Sequence, residues 1–131
     1  MMIKQKLFCQ QVIEQLGQVI EVKARAMFGG YGLYSNSVMF GLIDKEKLYF
    51  KVDEYNCDEY KALGMKPFIY LGKHKPIHMS YYQLPEIVFN NLESLSVWID
   101  KAEAAAIKAK QARKKISNKQ TSRKKYLITN I

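Results

Sequence analysis

Three of the four residues from position 29 to 32 are glycine, bracketed by aromatic side chains in Met27-Phe28-Gly29-Gly30-Tyr31-Gly32-Leu33-Tyr34. Ser35-Asn36-Ser37 and a strand-like run, Val38-Met39-Phe40-Gly41-Leu42-Ile43, follow directly. Glycine accepts positive φ and lets another backbone come close, so the cluster predicts a constrained turn or bulge rather than a flexible linker. The flanking aromatics would pin it by packing.

Hydrophobic spacing orders the rest of the chain. Ile3, Leu7, Phe8, Val12, Ile13 and Leu16 recur at helical intervals, predicting a helix over 3–16 that Gly17 stops. Alternation predicts a strand over 19–27, with Ile20, Val22, Ala24 and Ala26 on one face. Val38–Ile43 and Leu48–Val52, joined by Asp44-Lys45-Glu46-Lys47, predict a hairpin. In its second arm Leu48, Phe50 and Val52 share one face and Tyr49 and Lys51 the other, as in a sheet covered on one side.

A short helix over 53–63 is expected next, with Asp53 as N-cap and Gly64 as its end. Strands over 68–71 and 77–82 flank a turn at Gly72-Lys73-His74-Lys75-Pro76. Pro85 opens a short helix over 86–90. Asn90 and Glu93 have the spacing of a capping box ahead of a long helix, whose buried face would carry Leu92, Leu95, Trp98, Ile99, Ala102, Ala105 and Ala106. After Ile107 little apolar surface is left, so fraying or a protruding helix is expected, broken at Ser117-Asn118. The resulting order, α-β-β-β-α-β-β-α-α, predicts an α+β fold: two layers, a mostly antiparallel five-stranded sheet and helices on one face.

Charge divides the chain in two. Residues 1–107 carry twelve basic and twelve acidic side chains. Residues 108–131 carry the remaining nine basic ones and no acid: Lys108, Lys110, Arg113, Lys114, Lys115, Lys119, Arg123, Lys124 and Lys125. A neutral domain over 1–107 and a basic extension over 108–131 follow. The extension fits non-specific attraction to nucleic acid, and it equally fits a merely solvated end. Cys9 and Cys57 have neither metal-like spacing nor a disulfide framework. No apolar run reaches the roughly 18 residues of a membrane span, and no secretory leader is evident, so a cytoplasmic protein with no membrane contact is expected.

Site chemistry is sparse. The glycine cluster lacks the G-x-G-x-x-G spacing of a dinucleotide fingerprint, and Gly72-Lys73 lacks the rest of a phosphate-binding loop. His74 and His78 flank Pro76, and along a strand they would stand ~13 Å apart, too far to share one ion. Cys9 sits among helix-packing residues. No catalytic residue, cofactor or metal is therefore expected, and the chain reads as a non-enzyme. Tyr31, Tyr34, Tyr49, Tyr70, Tyr81 and Tyr82 lie on or beside strands. With Lys51, Lys73 and Lys75 they could form a base-stacking face, or they could pack a core edge or an oligomer interface.

Taken together, Met27–Tyr34, Leu48–Asp53, Met79-Ser80-Tyr81-Tyr82 with Pro85, and Leu95–Trp98 with the alanines after it resemble the N-terminal domain of the TfoX/Sxy family, regulators of natural competence. The resemblance spans about residues 18–107. It implies a two-layer α/β domain with an antiparallel sheet, a cytoplasmic regulatory role and a transcription activator as protein partner. It implies a structural role for Met27, Phe28, Gly29, Gly30, Tyr31, Gly32, Tyr34, Ser80, Tyr81 and Tyr82. Two-domain members also carry a helix-hairpin-helix-like domain, for which residues 108–131 are too few. The expected function is regulation of DNA transformation through protein contacts, with the basic extension adding attraction to nucleic acid. A protein-interaction module or homodimer without any nucleic-acid role is the alternative.

Overall fold

A computed structural model describes the backbone of residues 2–27, 29–71 and 75–129 and the side chains of 4–27, 29–71 and 75–114. Phe28, Gly72, Lys73, His74 and Ile131 lie outside the described residues, as do the side chains of Lys115, Lys119, Arg123, Lys124, Lys125, Tyr126, Leu127 and Ile128. The elements run α1 (Met2–Leu16), β1 (Lys23–Met27), β2 (Gly30–Ser35), β3 (Val38–Asp44), β4 (Lys47–Lys51), α2 (Cys57–Ala62), β5 (Pro67–Leu71), β6 (Pro76–Gln83), α3 (Glu86–Phe89) and α4 (Leu92–Thr129). The strands form one antiparallel sheet in the order β1-β2-β3-β4-β6-β5. The sheet has six strands, not five.

The additional strand is the glycine-rich segment itself. A Cβ on Gly30 would stand 2.0 Å from the Ile43 carbonyl oxygen of β3, and one on Gly32 would meet the sulfur atoms of Met27 and Met39 at 2.6 and 2.9 Å. These glycines therefore permit close strand pairing, and only Gly29, at φ +78°, belongs to the turn before β2. Gln5 of α1 ties down that turn. Its amide nitrogen donates to the Gly29 carbonyl (2.6 Å), while its amide oxygen accepts from the Lys45 N–H (3.0 Å) in the β3–β4 turn.

Other boundaries move for local reasons. The strand expected from Val19 begins only at Lys23, because Val19, Ile20 and Val22 pack partly buried against the core ahead of it. Asp53 does not cap α2; its carboxylate accepts from the Tyr55 N–H (2.9 Å) in a turn. Asn56 stands at the cap position, and its side chain bridges the Asp53 N–H (2.8 Å) and the Lys51 carbonyl (3.1 Å). Asn91, not Asn90, caps α4 through the Ser94 N–H (3.0 Å). Ser117-Asn118 does not interrupt α4, which runs on to Thr129. Alanine, lysine, arginine and glutamine make up most of 108–125, and their helix propensity outweighs that of the weaker residues among them.

The helices pack on one face of the sheet. Val12 and Leu16 of α1, Tyr60 of α2, Val88 of α3, and Leu95, Ile99, Ala102 and Ala106 of α4 close over Leu33, Phe40, Ile43, Leu48 and Phe50. Each fully buried large side chain there contributes about 2 kcal/mol. A bulge lets β3 serve both faces. Leu33 pairs with Gly41 and Tyr34 with Met39, which leaves Phe40 unpaired between them. Leu42 thereby joins Tyr49, Phe68 and Tyr81 in a second, smaller cluster on the face without helices. Among the described residues, no helix is long and apolar enough to cross a membrane.

Candidate anion-binding site

Register sorts the tyrosines. Tyr31 pairs with Ile43 and Tyr82 with Phe50, so both lie on the helix-covered face. Tyr34, Tyr49, Tyr70 and Tyr81 occupy the opposite, open face. Tyr49 meets Phe68 edge-on at 5.1 Å between centroids, and Tyr81 donates from its hydroxyl to the Met39 carbonyl (3.1 Å). Tyr49 and Tyr81 are buried, so they pack the open face more than they offer rings to a ligand. Ser80, their neighbour in the motif, is exposed. Met27 is half-buried at the end of β1, where it pairs with Gly30.

Cations lie against this aromatic face. The Arg25 guanidinium sits 5.2 Å from the Tyr34 ring centroid and the Lys51 ammonium 5.0 Å from that of Tyr81. Period-two alternation along β4 puts Lys51 there, opposite to Leu48 and Phe50. Lys51 is half-buried, and neither it nor Arg113 forms an ion pair among the described residues.

Beyond Ala106, α4 passes the ends of β3 and β4 and borders an open cleft of about 500 Å³ against them. Lys51, Lys110, Arg113 and Lys114 bring four cations to its walls, and Tyr34, Ser37 and Tyr81 bring hydroxyl-bearing side chains. Val38, Met39, Ala106 and Ala109 supply apolar wall, and among the described residues no carboxylate residue lines it. The electrostatics follow from that composition. Burial, then the Arg113 charge, lowers the Lys51 pKa, and Asp53 offsets part of this. Burial and neighbouring Tyr34 push the Tyr81 phenol up to about 12, against the pull of Arg113. Arg113 thus acts on both groups at the floor of the cleft.

The basic residues expected to contact nucleic acid fall into distinct settings. Lys108 is engaged: its ammonium pairs with Glu54 at 2.5 Å and stands 4.4 Å from the Tyr55 ring centroid. That pairing, first through the hydrogen bond, raises the Lys108 pKa and lowers that of Glu54. Lys110, Arg113 and Lys114 line the cleft. Lys115, Lys119, Arg123, Lys124 and Lys125 continue along the α4 backbone.

Sequence reading missed the contribution of Ser37 and the meeting of Lys51 with Arg113. Alternation had placed Lys51 on the open face, but nothing in the sequence brings residue 51 to residue 113. Among the described residues, no group of three or more His, Cys, Asp or Glu side chains is arranged to hold a metal.

No curated protein matches the chain. The model of the TfoX N-terminal domain matches residues 14–106. That span takes in all six strands and ends at Ala106, the last fully buried residue among those described and the point where the cationic part of α4 begins. The chain belongs to the TfoX N-terminal domain family.

Proposed function

We propose that this protein is a non-catalytic, cytoplasmic regulatory domain of the competence type, which works through protein contacts and uses its cationic α4 extension to stay near nucleic acid. The observation that carries this reading is the change in α4 at Ala106. Up to that residue the helix buries Leu95, Ile99, Ala102 and Ala106 in the core; from Lys108 onward it carries nine bases and no acid. An extension of one sign attracts a phosphate backbone without reading sequence. Family membership supports the regulatory role.

The protein contact finds support at the β5 edge of the sheet. β5 is an edge strand, and Ile69, Leu71 and Ile77 on β5 and β6 are 42%, 72% and 46% exposed. Exposed apolar side chains beside a free strand edge suit pairing with another chain. A transcription activator or a second copy of the protein would fit there.

The test of nucleic-acid attraction is duplex DNA binding as a function of salt. Each phosphate neutralised contributes about −0.9 to the slope of log K against log salt. Changing Lys115, Lys119, Arg123, Lys124 and Lys125 together to glutamine should flatten that slope by up to about 4.5. Equal binding and an equal slope in the variant would contradict the reading.

A further inference from the structure

We propose that the cleft between α4 and the open sheet face is a binding site for a phosphomonoester of nucleotide size. This goes beyond the attraction of nucleic acid to the distal helix, and it concerns a different set of side chains.

Among the described residues, four cations line one open cleft and no carboxylate residue lines it. Lys51 and Arg113 come from β4 and α4, and the fold holds them together although their charges oppose each other. Exposed cations ordinarily lie apart or pair with acids, as Lys101 does with Glu59 and Lys108 with Glu54. Asp53 offsets only part of the repulsion at Lys51, and a bound dianion would supply further countercharge. A phosphate monoester also offers several oxygen acceptors, and guanidinium and ammonium groups with nearby hydroxyls form the donor set that recognises it.

Volume and wall chemistry narrow the ligand. At about 500 Å³ the cleft falls within the range of small-molecule sites, and it is larger than inorganic phosphate requires. Its other wall is apolar: Met39, Val38 and the Ala106–Ala109 face of α4. An anionic end against Lys51 and Arg113, with a flat or apolar body against Met39 and the alanines, matches both walls. A continuous phosphodiester strand spreads its charges along a groove, whereas Lys51, Lys110, Arg113 and Lys114 line one cleft.

Calorimetric titration of the full chain with AMP, adenosine and inorganic phosphate tests the assignment. AMP is expected to bind one per chain, adenosine not measurably, and phosphate more weakly than AMP. Lys51→Met and Arg113→Gln should each weaken AMP by about tenfold or more, the loss of one charge-assisted contact. Arg113→Lys, which keeps the charge, should recover part of the affinity, and Lys61→Gln on the exposed side of α2 should change nothing. Unchanged thermal midpoints in the variants would separate a lost contact from a lost fold.

The variant with glutamine at 115, 119, 123, 124 and 125 keeps every described lining residue of the cleft and should bind AMP normally even if its DNA binding is gone. Adenosine binding as tightly as AMP would overturn the proposal, as would unaltered AMP affinity in Arg113→Gln. So would a single-stranded oligonucleotide lacking a terminal phosphate that outcompetes AMP for the cleft.

Discussion

Adjacent glycines in the motif carry different burdens, and each makes a separate forecast. Gly30 faces the Ile43 carbonyl so closely that a methyl group there would force β2 and β3 apart. Gly30→Ala should cost more than ~2 kcal/mol, read from urea unfolding, because backbone rather than a flexible side chain must give way. Gly29 has open space around its missing Cβ but a φ of +78°. Gly29→Ala should cost only about 1 kcal/mol, the penalty of left-handed backbone. Equal effects, or the reverse ranking, would mean that the β2–β3 pairing is not the reason for Gly30. Sequence alone registers that glycines permit either positive φ or close approach. It cannot assign one to Gly29 and the other to Gly30, because the atom that decides, the Ile43 carbonyl oxygen, lies thirteen residues further on.

At the scale of elements, legibility followed burial pattern. β3, β4 and the buried face of α4 from Leu95 to Ala106 are readable because apolar side chains recur at strand or helix spacing, whereas Leu92, expected on that face, is exposed at the start of the helix. β2 was not, since its glycines carry no hydrophobic signal, and α4 ran past its expected break because helix propensity there needs no core. The bulge at Phe40 was equally hidden: it swaps the face of Leu42 through a register that only pairing with β2 defines.

The β3–β4 turn places two ordinary residues, Lys45 and Glu46, at φ +48° and +60°. Asn-Gly is the preferred pair for such a two-residue hairpin turn. Replacing Lys45-Glu46 by Asn-Gly should therefore stabilise the fold by about 1 kcal/mol in the same unfolding assay. It leaves the Lys45 N–H contact to Gln5 available. No gain, or a loss, would show that the Lys45 and Glu46 side chains matter more to the turn than its backbone strain does.

Over the whole molecule, the charge asymmetry is written in the sequence, but its geometry is not. A balanced body and a cationic end are visible by counting. What counting cannot show is that α4 carries the first of those cations back along the sheet, so that Lys110, Arg113 and Lys114 meet Lys51 and Tyr81. The helix joins a cleft near the core to a further helical run that carries five more cations. Lys108 stands between core and cleft and spends its charge on Glu54, which ties α4 to the loop after β4. The β5 edge, at the far end of the sheet order from β1, exposes the apolar side chains of Ile69 and Leu71, with Ile77 beside them on β6, the surface proposed above for protein contact.

The proposed division of the molecule into a protein-facing edge and an anion-facing helix is open to direct mapping. Backbone amide shifts of the full, isotope-labelled chain, followed while a duplex oligonucleotide is added at low salt, would show where the polyanion lies. The expected shifts concentrate on residues 108–129 and fade as salt rises, while Ile69, Leu71 and Ile77 stay still. Shifts centred on the β5 edge or on α1, with residues 108–129 unmoved, would contradict it.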